Sequence, residues 1–210
     1  FCTHAMIYLD HNATTPPTPA ATAAVLEALS LQSGLWANPS SVHRAGQAVR
    51  HRVELARESL AQLLRVDPKH LVFTSGGTES INLAIRGTLD ALATTPQSSA
   101  PPIIVTSRVE HAAIRDLVED LVKLGKAQVR WAPIDIDGVM QSTALDELLP
   151  GAAIATFQWA NNATGIIQPI HAIGRACRRH RVRFLCEATQ RIGKLPVPYN
   201  ASSHSPSPQG

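Results

Sequence analysis

Short apolar runs alternate with amphipathic segments along most of this sequence, and that alternation limits the possible fold more than any other feature. The runs that we predict to be strands are residues 7–9, 71–73, 103–106, 128–134, 152–159 and 182–186. Apolar residues at helical spacing predict helices at 20–31, 42–66, from the glycine pair at 76 to about 92, from 110 to 122, 143–149 and 170–180. Strands that alternate with helices are typical of a doubly wound, mainly parallel sheet. The predicted fold class is therefore α/β.

Residues 71–85 have the sequence LVFTSGGTESINLAI and combine an apolar run, a glycine pair and an amphipathic segment. We predict a buried strand, a turn in which Gly76 and Gly77 permit positive φ, and a helix. The unpaired N–H groups at the start of such a helix make a phosphate the natural ligand. An ordinary strand-to-helix connection capped by hydroxyl groups is the alternative, and this stretch alone does not decide between the two.

Polar residues follow four of the predicted strands at the point where each strand ends. The sequences are SGGTE after Phe73, RVEHAA after Thr106, ANNATG after Trp159 and EATQ after Cys186. In an open α/β sheet the carboxyl ends of the strands form the ligand site. An anion-binding turn, an imidazole, a carboxamide and a carboxylate are therefore expected at one edge, where they predict binding of a small phosphorylated ligand.

Composition and charge argue against several other classes of function. The net charge is +3, but the arginines of residues 44–65 are interleaved with apolar and acidic residues, which is typical of a solvated helix face and not of a nucleic-acid site. Three cysteines without metal-type spacing predict neither a disulfide framework nor a metal site and fit a cytoplasmic protein. No apolar run is long enough for a membrane span, so a membrane partner is not expected.

Several motifs in unbroken order resemble one enzyme family. They are YLDHNATTP, NPSSVHRAG, SGGTES, EHAA, NNATG-IIQPI and FLCEATQ-RIGKLPV, within residues 7–197. These motifs are similar to those of the class V aminotransferases that use pyridoxal 5′-phosphate (PLP), and specifically to the cysteine desulfurases. The resemblance implies the large domain of the PLP-dependent transferases. It also implies conversion of L-cysteine to L-alanine with sulfur left as an enzyme-bound persulfide, a homodimer, and sulfur-acceptor proteins in iron–sulfur cluster assembly.

The resemblance assigns a role to each matched residue. Gly76, Gly77 and Thr78 would bind the phosphate of PLP. His111 would stack on the cofactor ring and transfer protons as the catalytic residue, and Asn162 would bind the ring hydroxyl. Glu187, where the family has aspartate, would pair with the ring nitrogen. Gln190 would lie on the same side of the cofactor as Asn162.

The resemblance also implies a lysine beyond Gln190 that holds the cofactor covalently, and this lysine is not found. The C-terminal SSHSPSPQG has Ser205 at the corresponding place. We therefore divide the chain into residues 1–5 of upstream or vector origin, residues 6–199 as the N-terminal part of a PLP-binding large domain, and a Ser/Pro-rich tail at 200–210. The chain is expected to be truncated and inactive alone.

Other functions stay open at this point. A selenocysteine lyase would share the motifs, and a non-catalytic PLP-binding or dimer-partner pseudoenzyme would need no lysine. A nucleotide-binding domain is disfavoured because no lysine follows the glycines as in a P-loop.

Overall fold

The computed structural model describes residues 7–93 and 100–195, which lie in two compact units, residues 1–73 and 74–210. The predicted segment of residues 1–5 and the tail at 200–210 fall outside the described residues. No helix in the described ranges is both long enough and apolar enough to cross a membrane.

The first unit is built on two α-helices, α1 (Pro19–Leu29) and α2 (Arg44–Leu64). The Thr18 hydroxyl accepts a hydrogen bond from the first turn of α1, and His43 Nδ1 accepts one from the first turn of α2. α2 ends where Arg65 adopts a left-handed conformation, with φ of 54°. Glycine is required at position 46 because a Cβ there would lie 2.6 Å from the Asn38 carbonyl oxygen.

The second unit contains a four-stranded sheet of β1 (Ile103–Ser107), β2 (Gln128–Ala132), β3 (Ala152–Gln158) and β4 (Arg183–Glu187). All three strand pairings are parallel, and the spatial order is β2-β1-β3-β4. The helices of this unit are α3 (Gly77–Ala93), α4 (Ala112–Lys123), α5 (Leu145–Leu148) and α6 (Ile170–Arg179). The predicted α/β class with a parallel sheet is confirmed.

Helices cover both faces of this sheet. Ile104 of β1 packs with the buried residues of α3 and α4 on one face, while its neighbour Val105 packs with those of α5 and α6 on the other. Ile154 and Ala155 of β3 alternate in the same way. The sheet is therefore doubly wound. From β1 the chain crosses to β2 on one side and afterwards reaches β3 on the other, so the topological switch point lies between β1 and β3.

Two of the predicted strands are wrong. Residues 7–9 and 71–73 form no strand, and Leu9 is 85% exposed and Val72 is 70% exposed. An apolar run becomes a strand only where a neighbour takes up its backbone hydrogen bonds, and no described strand pairs with either run. The chain therefore enters α3 from a segment that belongs to no strand.

Candidate functional site

The first turn of α3 is held by side chains of the SGGTES motif. The backbone N–H and the hydroxyl of Ser75 both donate to Glu79 Oε2, each at 2.6 Å, and the Thr74 hydroxyl lies 2.7 Å from that of Ser80. The Ser75 hydroxyl, followed by its N–H, lowers the pKa of the Glu79 carboxyl. Gly76 and Gly77 permit positive φ, but neither residue adopts it. The side-chain hydrogen bonds of Thr74, Ser75, Glu79 and Ser80 hold the turn in a conformation that does not need it.

This turn is open toward solvent and lies beside the end of β4. An α-helix leaves its first N–H groups without intrahelical partners, which here include those of Gly77 and Thr78. A Cβ on Gly76 would meet no atom within 4 Å. A Cβ on Gly77 would lie 3.6 Å from Thr189 Oγ1, which places the turn against the residues that follow β4.

Glu187 is the last residue of β4 and is half-buried. Its Oε1 accepts a hydrogen bond from the Thr189 N–H at 2.7 Å, and its backbone oxygen accepts one from Trp159 at 2.6 Å. Within the described ranges, no residue donates to Oε2 of this carboxylate. Gln190 Oε1 accepts a hydrogen bond from Lys194. One oxygen of Glu187 is therefore oriented by the backbone and the other is available to a ligand.

His111 caps the N-terminus of α4. Its Nδ1 accepts a hydrogen bond from the Ala113 N–H at 3.1 Å, which leaves the proton of the neutral ring on Nε2. The side chain is exposed. The ring is therefore held by the helix that it caps and presents an N–H group outward.

The neighbouring Asn161 and Asn162 have different environments. Asn161 is buried, donates to the Val109 carbonyl at 2.9 Å, and accepts from the N–H groups of Ala163 and Thr164. Asn162 is half-exposed, and its carboxamide bonds to none of the described residues. The first asparagine shapes the loop, and the second is left available to a ligand.

Sequence reasoning missed a buried polar network at the switch point. Glu110 is 4% exposed, accepts from the Ser107 hydroxyl at 2.6 Å, and accepts from the Gln158 N–H at 2.7 Å. The Gln158 side chain donates to the Val109 carbonyl at 2.6 Å. The only signal for this network in the sequence was the position of Glu110 directly before His111.

The described cysteines are poor nucleophiles. Burial raises the pKa of Cys177 to about 11, and burial with the nearby Glu187 and Glu110 carboxylates raises that of Cys186 to about 12. Both thiols therefore stay protonated near neutral pH. Cys186 packs against the core. Among the described residues, no group of His, Cys, Asp and Glu could hold a metal ion.

Residues 7–203 match the family described as Aminotransferase class-V. An IscS-like cysteine desulfurase of Mycobacterium tuberculosis (strain ATCC 25618 / H37Rv) is 40% identical over 206 residues, which are 95% of this chain and 50% of that protein. A solved NifS-like protein superposes with a TM-score of 0.82 at 28% identity, covering 90% of this chain and 50% of that one. SspA in complex with cysteine gives a TM-score of 0.80 at 29% identity, covering 91% and 53%. The chain thus spans about half the length of these relatives.

Proposed function

The chain belongs to the class V aminotransferase family, and from this we propose that residues 74–195 form the PLP-binding part of an enzyme of the cysteine desulfurase type. The observation that carries the proposal is that the open turn of α3 lies beside the end of β4, where Oε2 of Glu187 has no donor among the described residues. The turn would bind a group that accepts many hydrogen bonds. The neighbouring carboxylate would bind a group that carries a positive charge.

The described residues fit PLP in charge and in hydrogen bonding. The N–H groups of Gly77 and Thr78, with the Thr78 hydroxyl, would bind the phosphate at the positive end of the α3 dipole. Glu187 Oε2 would hold a proton on the ring nitrogen. The carboxamide of Asn162, which bonds to none of the described residues, would bind the ring hydroxyl, and His111 would hold or move a proton at Nε2.

PLP supplies an electron sink for the substrate when it is bound. By family, we propose L-cysteine as the substrate and L-alanine and a persulfide as the products, a balanced transfer of one sulfur atom to an enzyme thiol. Cys177 and Cys186 are unsuited to receive the sulfur atom because their thiols are neutral near pH 7.

We also propose that the protein is cytoplasmic, that it has sulfur-acceptor partners, and that this chain alone is inactive. Sulfide released from L-cysteine by the purified chain would contradict that inactivity.

Pyridoxine 5′-phosphate tests non-covalent binding at this site. It has the ring and the phosphate of PLP but no aldehyde, so it cannot form imines with surface lysines. We expect the chain to bind it at least about tenfold more tightly than pyridoxine, since hydrogen bonds to a charged group contribute about 1.5–3 kcal/mol each. Equilibrium dialysis of both compounds is the measurement. Equal affinity for the two would contradict the phosphate site.

Thr78→Val tests the proposed phosphate contact at the first turn of α3. Valine keeps the shape of threonine and removes the hydroxyl, so we expect binding of pyridoxine 5′-phosphate to weaken by about 3- to 10-fold while binding of pyridoxine does not change. Thr143→Val is the control, because Thr143 is also exposed but lies in the 3₁₀ turn Ser142–Ala144. An equal loss for both variants, or for both ligands, would argue against a contact between Thr78 and phosphate.

We also propose that the protein is a homodimer. None of the residues of α1 is buried, although it carries Val25, Leu26 and Leu29, which are 58–74% exposed. An apolar helix in this state needs a covering surface, which a second copy supplies. Sedimentation velocity is expected to give twice the mass of the chain at micromolar concentration. A single species of monomer mass would contradict the dimer.

A further inference from the structure

The polar network at the switch point joins the two loops that carry His111 and Asn162. It consists of Ser107, Val109, Glu110, Gln158 and Asn161, and we call it the β1–β3 network. Its four hydrogen bonds between these residues measure 2.6–2.9 Å. Three of them cross from the loop after β1 to β3 or to the loop after it, so the network holds the carboxyl ends of the two central strands together.

Glu110 is the centre of this network. Each of its two carboxyl oxygens has its own partner, one on β1 and one on β3. The side chains of Ser107, Glu110 and Gln158 are almost completely shielded from water. A buried polar group that loses its partner is costly, so these three groups depend on one another.

The two ligand-facing side chains follow members of this network directly in the chain. His111 comes after Glu110, and Asn162 comes after Asn161. Neither is fixed to the other loop by its own hydrogen bonds, because His111 bonds within α4 and the Asn162 carboxamide bonds to none of the described residues. The β1–β3 network therefore forms a hydrogen-bonded link between the two chain segments that carry His111 and Asn162.

We propose that Glu110 is a positioning residue that sets the separation of His111 and Asn162 for the cofactor ring. This inference rests on the proposed function. It assigns Glu110 no contact with substrate or cofactor.

The carboxyl can keep both of its partners in either protonation state. When ionised, it accepts from the Ser107 hydroxyl and from the Gln158 N–H. When neutral, its O–H can donate to the Ser107 oxygen while the other oxygen still accepts from Gln158. A glutamine at position 110 can reproduce the second arrangement, with its amide group donating to Ser107. An aspartate is one methylene shorter and cannot span both partners.

The charge of Glu110 also depends on its surroundings. Burial, followed by the like charge of Glu187, raises its pKa to about 7, against the opposing hydrogen bonds from Ser107 and Gln158. The titratable groups that act on it from packed elements are Glu187 and Cys186, both on β4, while β1 and β3 contribute the neutral Ser107 and Gln158. A neutral Glu110 removes one negative charge beside Glu187.

The sign of the pH effect follows from this raised pKa. The folded protein binds the Glu110 proton more tightly than the unfolded chain, where the pKa is near 4.5. Stability conferred by this group is therefore present below pH 4.5 and is lost as the pH rises to about 7. Glu110→Gln cannot ionise and should lack this loss.

The test combines Glu110→Gln, Glu110→Asp and Glu110→Ala with binding and thermal unfolding. We expect Glu110→Gln to bind pyridoxine 5′-phosphate within about threefold of wild type, and Glu110→Asp and Glu110→Ala to bind it at least about tenfold more weakly. We also expect the melting temperature of Glu110→Gln, relative to wild type, to rise between about pH 5 and about pH 8. Glu58→Gln, at an exposed position of α2, is the control and should change neither measurement.

The outcomes separate this inference from the proposed function. A wild-type chain that does not bind pyridoxine 5′-phosphate overturns both. Wild-type binding that persists unchanged in Glu110→Asp and Glu110→Ala, or that is lost equally in Glu110→Gln, overturns the positioning role alone. If Glu110→Ala does not fold, the comparison of Glu110→Gln with Glu110→Asp decides. A melting-temperature difference that is flat with pH contradicts the buried ionisable carboxyl.

Discussion

Ile173→Ala is expected to lower the free energy of unfolding by about 2–5 kcal/mol, which is the usual cost of removing a buried aliphatic side chain. Ile173 lies on α6 and is 0% exposed. It belongs to the core cluster that includes Val105, Leu149 and Phe157. Alanine would leave a cavity between α6 and the sheet, in addition to the lost burial of apolar surface. Urea denaturation followed by circular dichroism measures the effect.

Ile136→Ala is the matched control, because Ile136 is fully exposed in the turn after β2. Its effect should be within about 0.5 kcal/mol. The same change of side chain is thus made inside and outside the core. Equal effects of the two substitutions would show that α6 does not pack against β3 and β4 of the sheet.

The strands of the second unit could be predicted because the apolar composition of their sequences indicates that they are buried. β1 and β3 are central strands with helices on both faces, so their sequences are mostly apolar and do not alternate strictly between apolar and polar residues. The run at 71–73 has the same composition but forms no strand, since pairing depends on a neighbour that composition does not reveal. The predicted strand at 7–9 was wrong for the same reason.

The candidate site was predictable to a lesser extent. The candidates His111, Asn162 and Glu187 follow from strand ends, because parallel strands bring their carboxyl ends to one edge. Their roles toward a cofactor stay predictions. The different roles of Asn161 and Asn162 could not be read from two adjacent identical residues, because only the packed structure turns one of them inward. The burial of Glu110 was also hidden, since a glutamate at the start of a helix is usually exposed.

Glu187→Gln is expected to weaken binding of pyridoxine 5′-phosphate by about 10- to 100-fold, the cost of losing a hydrogen bond to a charged group. Glutamine has nearly the same shape, and its oxygen can still accept from the Thr189 N–H as Glu187 Oε1 does. The other position would then carry an N–H donor facing a protonated ring nitrogen, which is also a donor. Equilibrium dialysis measures the loss, and Glu147→Gln, at an exposed position of α5, is the control.

Glu187→Asp separates the charge of this residue from its length. It keeps the carboxylate on a side chain one methylene shorter, so we expect binding to stay within about tenfold of wild type, a range that allows for a shift of about one bond length. Loss with glutamine and retention with aspartate would identify the negative charge as the essential feature. If Glu187→Gln binds as tightly as wild type, the carboxylate does not pair with the ring nitrogen. The residues that follow β4 would then contribute only their position beside the first turn of α3.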